Sequence, residues 1–169
     1  ETIFFCHSLG ANQSLWNRQI EQLSDAYRIV SCDLRGHGES DIFSTPYSIE
    51  IMARDILALL SHLEIPSCHF VGLSLGSMIG LWLGAKAPDR IRRMVLAGAS
   101  AKVQNSAAFG TRINHIKMHG LKSMLTELDT RWYADGFASR QPSVVNKVRT
   151  MVAKTPIEGY IAATIAVRD

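Results

Sequence analysis

Four short segments of the chain are rich in β-branched and aromatic residues and have the length of buried strands. They span residues 2–6, 28–32, 68–71 and 93–97. Between them, apolar residues recur at helical spacing over 15–23 and over 49–63, the latter after the capping residue Ser48. A third helix is predicted over 75–87, where the chain is apolar almost all round until Pro88. This alternation predicts an α/β fold with a parallel sheet covered by helices on both faces.

The strand pattern disappears after Gly98, and four further segments show apolar positions at helical spacing. They span 106–119, 121–133, 143–154 and 157–168. In the second segment the apolar positions are Leu121, Met124, Leu125, Leu128 and Trp132. Glycines and prolines separate the segments, which is typical of a set of short helices. We therefore predict a partial α/β core over 1–103 and a helical cap, not a second independent domain, over 104–169.

The composition of the 169 residues, 47% hydrophobic and 20% charged, is that of a folded globular chain. No apolar run approaches the ~20 residues needed to cross a bilayer, so no membrane partner is expected. Residues 1–103 carry nine Lys and Arg against ten Asp and Glu, whereas residues 104–169 carry nine against five. The basic excess lacks the dense, aromatic-interleaved clusters of nucleic-acid proteins. It fits a small anionic ligand or a solvated surface.

The three cysteines, Cys6, Cys32 and Cys68, are widely spaced and odd in number, which argues against a disulfide framework or a zinc site. A cytoplasmic location is therefore expected. Glu1 leads into the first strand without the features of a signal peptide, and the last helical pattern stops at Asp169 without a Gly or Pro. We expect the chain to be a fragment of a longer protein. Its oligomeric state is not indicated by the sequence.

The strongest chemical signal is Gly72-Leu73-Ser74-Leu75-Gly76, between a predicted strand and a predicted helix. Flanking glycines allow a tight strand-to-helix turn that projects the serine hydroxyl, and the helix N-terminus favours developing negative charge. The motif predicts a nucleophilic Ser74. The alternative interpretation is a glycine-lined turn without chemistry.

Two more loops follow predicted strands. The first contains His7, Ser8, Leu9 and Gly10, and its backbone N–H groups would be able to hold an oxyanion if its strand neighbours the one before Ser74. The alternative is an ordinary strand-to-helix turn. The second loop, residues 33–41, contains a GxG but lacks the third glycine of a dinucleotide fingerprint, and the chain has no Walker-type GK[ST]. Its polar residues are expected to brace the loop.

In this order and spacing, the three motifs resemble the α/β-hydrolase fold, and the chain is similar along its length to the 3-oxoadipate enol-lactonases of the β-ketoadipate pathway of aromatic catabolism. The matching residues are His7-Ser-Leu-Gly10, Trp16, Asp33-x-Arg-Gly-His-Gly38, Pro46-Tyr-Ser-Ile49, Gly72-Leu-Ser-Leu-Gly76, Met78-Ile-Gly80 and Arg131-Trp132. The resemblance implies hydrolysis of an ester or lactone through an acyl-enzyme on Ser74, without a metal or an organic cofactor. It also implies an oxyanion hole formed by the backbone N–H groups of Leu75 and Leu9.

A serine nucleophile needs a base and an orienting acid, which in this fold follow the serine in the chain. Of the six histidines only His115 and His119 follow Ser74, and their i, i+4 spacing on a predicted helix indicates a solvated face. The resemblance implies that the first two and last two strands of the family are missing. The catalytic acid and base are therefore expected beyond Asp169, and the 169 residues alone are expected to be inactive.

The expected partner is a small anionic lactone or ester. Its carboxylate would need a cation on entering a pocket. Arg131, next to Trp132 on a predicted helix, is the candidate, with a surface role as the alternative. Two other functions remain open. One is a general esterase or a cofactor-free perhydrolase on the same fold, and the other is a non-catalytic protein that binds a small molecule.

Overall fold

The computed structural model describes residues 1–103 and 105–169, so Gln104, at the predicted start of the cap, lies outside the described residues. Leu128 is one of the apolar positions of the predicted helix 121–133, and its side chain also lies outside the described residues. The described residues form a parallel sheet of four strands in the order β2-β1-β3-β4. The strands are β1 (Thr2–Cys6), β2 (Arg28–Ser31), β3 (Cys68–Leu73) and β4 (Ile91–Ala97). The predicted α/β class is confirmed.

Eight α-helices occur among the described residues. They are α1 (Asn17–Leu23), α2 (Ile49–His62), α3 (Leu75–Lys86), α4 (Ser106–His119), α5 (Leu125–Trp132), α6 (Phe137–Arg140), α7 (Pro142–Lys154) and α8 (Ile157–Arg168). Two predicted helices begin with a 3-10 turn, at Gln13–Trp16 before α1 and at Leu121–Met124 before α5. The four-residue α6 was not predicted, because so short a helix carries no periodicity.

Both faces of the central strands are covered, because their side chains alternate between the two faces. On one face Phe4 and Phe70 stack with ring centroids 5.8 Å apart, within the core that includes residues of α2 and α3. On the other face Phe5 packs against Trp16 at 5.0 Å, in a smaller cluster with Ile20 of α1. The central strands β1 and β3 are thereby packed on both sides.

The helical segment, defined as residues 105–169, packs on these loops through α7 and α8. A Cβ placed on Gly36, in the loop after β2, would lie 2.6 Å from the Cα of Gly159 in α8. A Cβ placed on Gly10, in the loop after β1, would lie 2.8 Å from the Tyr160 ring. Glycine at both positions therefore permits close packing of the helical segment against the sheet loops. No helix within the described residues is long and apolar enough to cross a membrane.

Candidate active site

Ser74 forms a sharp turn between β3 and α3, with φ +53° and ψ −109°. Residues other than glycine rarely adopt such a conformation, and it persists where the surroundings determine it. The two flanking glycines are required by close backbone approach. A Cβ on Gly72 would lie 2.5 Å from the carbonyl carbon of Gly76, and a Cβ on Gly76 would lie 2.8 Å from that of Cys6.

Hydrogen bonds fix this turn to the end of β4. The Ser74 N–H donates to the Ala97 carbonyl at 2.8 Å. The buried Ser77 hydroxyl lies 2.7 Å from the carbonyls of both Gly72 and Ala97. Ser77 and Met78 donate their N–H groups to the Ser74 carbonyl and begin the first turn of α3. The Ser74 side chain, by contrast, is exposed. The result is a fixed backbone that presents a free hydroxyl.

The predicted oxyanion donors, Leu9 and Leu75, follow the two neighbouring strands β1 and β3. The register pairs Cys6 with Gly72, so the loop after β1 and the turn at Ser74 leave the sheet side by side. Leu75 is fully buried at the start of α3, and Leu9 is 9% exposed. Among the described residues, the Leu9 N–H donates no backbone hydrogen bond. Leu75 is the first residue of α3, so its N–H has no acceptor within the helix. Backbone donors of this kind are suited to stabilising a developing negative charge.

A cavity of about 650 Å³ opens above Ser74, between the sheet loops and the helical segment. It brings together four of the predicted site residues, Leu9, Ser74, Arg131 and Trp132. Leu75 does not line it, because its side chain is buried beneath the turn. The cavity therefore joins the candidate nucleophile to the candidate substrate-binding residues, although Arg131 lies 57 positions after Ser74 in the chain.

The cavity also contains residues that sequence reasoning missed, among them Phe109, Arg112, Tyr133 and Tyr160. The Arg112 guanidinium lies over the Phe109 ring, 5.2 Å from its centroid. Burial raises the pKa of Tyr160, and the nearby Arg112 opposes this shift. Arg112 follows Phe109 at i+3 and precedes the buried Ile113 and Ile116. An arginine at the edge of an apolar helix face was the signal available in the sequence.

The described lining contains two arginines and no carboxylate. Arg131 has only a loose pairing with Glu127 at 3.9 Å, and both side chains are more than half exposed. Such a surface pair contributes little to stability and leaves the guanidinium free to bind an anion. The electrostatic character of the cavity therefore favours a negatively charged ligand.

The loop after β2 braces the site. The Asp33 carboxylate accepts hydrogen bonds from the N–H groups of Gln13 at 2.7 Å and Glu39 at 2.9 Å. His37 of this loop and His7 are fully buried, with ring centroids 5.2 Å apart. Burial and the neighbouring His37 lower the pKa of His7 to about 3, and burial lowers the pKa of His37. Both imidazoles are therefore neutral at pH 7.

None of the six histidines hydrogen-bonds Ser74 in the described structure. His7 and His37 bind backbone groups, and His62 lies in the last turn of α2. His69 pairs with Glu1 at 3.3 Å, at the opposite end of the sheet. His115 lies 2.9 Å from the Ser123 hydroxyl, and its ring centroid is 4.7 Å from that of His119. Within residues 1–103 and 105–169, no cluster of His, Cys, Asp and Glu is arranged to hold a metal ion.

Comparison with known proteins places this arrangement among its relatives. Residues 1–152 match the profile of the family described as alpha/beta hydrolase fold. The chain is 34% identical over 167 residues to 3-oxoadipate enol-lactonase 2 of Acinetobacter baylyi, covering 99% of this chain and 62% of that protein. The enol-lactonase of Burkholderia xenovorans LB400 superposes with a TM-score of 0.95 at 31% identity, covering 99% of this chain and 64% of that one.

A thermophilic esterase from Thermogutta terrifontis superposes with a TM-score of 0.93 at 26% identity, covering 99% of this chain and 63% of that one. The chain spans about 60% of the length of the curated enol-lactonases it matches. These matches confirm the resemblance inferred from the motifs.

Proposed function

Because the chain belongs to the alpha/beta hydrolase fold family, we propose that it carries the nucleophile and substrate cavity of a serine hydrolase that opens an ester or lactone. The substrate we propose is 3-oxoadipate enol-lactone, in aromatic catabolism. One observation carries this proposal: Ser74 lies on a strained turn at a cavity that Leu9 also lines, and within the described residues its hydroxyl makes no hydrogen bond. We further propose that residues 1–103 form the partial core and residues 104–169 the cap of this enzyme.

In the proposed mechanism the Ser74 hydroxyl oxygen attacks the substrate carbonyl carbon, and the hydroxyl proton passes to a general base. The Leu75 and Leu9 N–H groups donate hydrogen bonds to the resulting oxyanion. Collapse of this intermediate breaks the ester or lactone C–O bond, the base returns the proton to the leaving oxygen, and an acyl group stays on Ser74. Water then gives a proton to the base and attacks the acyl carbon. The bond to the Ser74 oxygen breaks, the acid is released, and the base returns the proton to Ser74. The reaction uses no metal or organic cofactor. The acid and base act from outside the 169 residues.

The proposed substrate is small and anionic. The cavity lining supports this, since Arg112 and Arg131 face a space that no described carboxylate shares. An arginine pairs with a carboxylate through two parallel N–H donors, which would orient the lactone as well as bind it. The half-exposed Trp132 would then cover the apolar side of the ring.

Substitution of the serine tests the proposal. In the full-length protein, Ser74→Ala should lower hydrolysis of the enol-lactone and of an aryl ester by several orders of magnitude, with an unchanged fold by circular dichroism. Ser139→Ala, at an exposed serine of α6, is the matched control and should leave the rates unchanged. Activity of Ser74→Ala within tenfold of the unmutated protein would refute the proposal.

Two other reactions share the same turn, general esterase and cofactor-free perhydrolase activity. Rates measured side by side on the enol-lactone, a neutral aryl ester and peroxide-dependent halogenation would distinguish them. We expect the highest kcat/KM on the lactone.

A non-catalytic binding function is favoured by one observation, that no described side chain hydrogen-bonds the Ser74 hydroxyl. Ligand binding without any turnover by the full-length protein would support that function instead.

A further inference from the structure

The loop after β1 comprises residues 7–11 and is called the β1 loop. Hydrogen bonds hold its successive peptide groups. The Ser8 carbonyl accepts hydrogen bonds from the His7 Nδ1–H at 2.8 Å and from the Ala11 N–H at 3.0 Å. This carbonyl belongs to the same peptide group as the Leu9 N–H, and the two point in opposite directions in a trans peptide. Holding the Ser8 oxygen therefore sets the direction in which the Leu9 N–H points.

Gly10, the next residue, is held from two sides. Its N–H donates to His37 Nε2 at 3.0 Å. Its carbonyl accepts from the Thr155 hydroxyl at 2.8 Å. His37 belongs to the loop after β2, whereas Thr155 lies between α7 and α8 in the helical segment. All three groups are buried, so water does not compete for these bonds.

The two buried histidines make reciprocal contacts between the loops. His37, in the loop after β2, accepts the Gly10 N–H of the β1 loop. His7, in the β1 loop, accepts the N–H of Leu34, in the loop after β2, at 2.9 Å. Because a backbone N–H occupies each Nε2, the ring proton must lie on Nδ1 in both residues. The Nδ1–H groups donate to the carbonyls of Ser8 and Arg35. The β1 loop therefore depends on two neutral imidazoles and on one hydroxyl of the helical segment.

We propose that His37 and Thr155 are positioning residues that hold the β1 loop with the Leu9 N–H directed into the cavity. The helical segment then contributes to the chemistry as well as to substrate binding, because its docking through Thr155 keeps the oxyanion donor in place. This inference rests on the proposed role of Ser74.

Removal of the Thr155 hydroxyl tests it. In the full-length protein, Thr155→Val should lower kcat for a neutral aryl ester by ~10-fold or more, with KM changed less than ~3-fold, because a misdirected donor weakens only transition-state binding. Thr155→Ser restores the hydroxyl and should recover kcat to within ~3-fold of the unmutated protein. Thr164→Val is the matched control: it also removes a fully buried threonine hydroxyl, which donates to the Tyr160 carbonyl within α8. It should leave kcat unchanged.

Inhibition by a transition-state analogue distinguishes a positioning role of Thr155 from a purely structural one. A trifluoromethyl ketone forms a tetrahedral adduct with a serine nucleophile and needs the oxyanion donors. Its inhibition constant should rise in Thr155→Val by the same factor as kcat falls, while binding of the product carboxylate stays unchanged. If Thr155→Val does not fold, Thr155→Ser and Thr155→Cys replace it. The weaker S–H donor should give the lower kcat of the two.

Three outcomes would overturn the inference. The first is an unchanged kcat in Thr155→Val, and the second is an equal loss of kcat in Thr155→Val and Thr164→Val. The third is an equal kcat in Thr155→Ser and Thr155→Cys. The proposed function fails separately. Turnover that survives Ser74→Ala refutes the nucleophile, whereas loss of turnover in Ser74→Ala with an unaffected Thr155→Val refutes only the positioning role.

Discussion

Ser74, the proposed nucleophile, lies in a strained backbone conformation. Its φ of +53° and ψ of −109° are sparsely populated by L-residues, at a typical cost of about 1–3 kcal/mol. Ser74→Gly should therefore raise the free energy of unfolding by about 1 kcal/mol, and it should also abolish hydrolysis. Urea unfolding of the full-length protein measures the first effect. A loss of stability would mean that the serine side chain itself holds the turn.

The buried histidines predict a pH dependence of stability. The folded-state pKa of His7 is about 3 and that of His37 is also lowered, mainly by burial, while Asp33 opposes both shifts. In the unfolded chain both titrate near ~6.5, so the unfolded state binds protons first as the pH falls. The contribution of His7 is fully present above ~6.5 and is lost as the pH falls toward 3, by up to about 1.4 kcal/mol per pH unit. The lowered pKa of His37 adds a loss of stability in the same direction below ~6.5.

Urea unfolding of the full-length protein between pH 7 and pH 4 measures this slope. His7→Gln and His37→Gln should each flatten it, because glutamine does not titrate. His62→Gln, at an exposed histidine of α2, is the control and should keep the slope. A slope that survives both buried substitutions would contradict the assignment.

At the level of the helices, α4 and α5 each place one arginine against the cavity. In the full-length protein, Arg131→Ala and Arg112→Ala should each lower kcat/KM for the anionic lactone by ~10-fold or more, and much less for a neutral ester of similar size, because only the anion loses a charged hydrogen bond. Steady-state kinetics on both substrates measures the difference. Arg140→Ala, on the exposed end of α6, should affect neither substrate. An equal loss of kcat/KM on both substrates would show that the arginines do not bind the carboxylate.

The helices and strands also show what a sequence can predict. The β3-to-α3 turn was predictable because its glycines, serine and buried helix lie within a few consecutive residues. Arg131 was predicted from its position next to Trp132 on a predicted helix, together with the anionic substrate that the family resemblance implies. Arg112 was missed because a lone arginine on a helix is usually solvated. The Thr155 contact was missed because its partner, Gly10, is 145 residues away and a threonine before a proline has no signature of its own.

For the molecule as a whole, the described residues supply the proposed nucleophile, the two proposed oxyanion donors and the cavity, but no base in contact with Ser74. If the proposed function holds, the isolated 169-residue chain should therefore hydrolyse an aryl ester at least ~10³-fold more slowly than the full-length protein. It should also be marginally stable, because Met94 and Val95 of β4 are 40% and 61% exposed. Kinetics on the purified chain checks this. Full turnover would mean that one of the six histidines acts as the base.

Trapping of the covalent intermediate tests the central claim most directly. The full-length protein is mixed with an aryl ester and quenched in acid within the first turnover. It is then digested, and the masses of its peptides are measured by mass spectrometry. If Ser74 is the nucleophile, the peptide that contains Ser74 should gain the mass of the acyl group. The corresponding peptide of Ser74→Ala should not gain it. Turnover with the acyl group on another residue, or with no acylated peptide in a burst experiment, would contradict it.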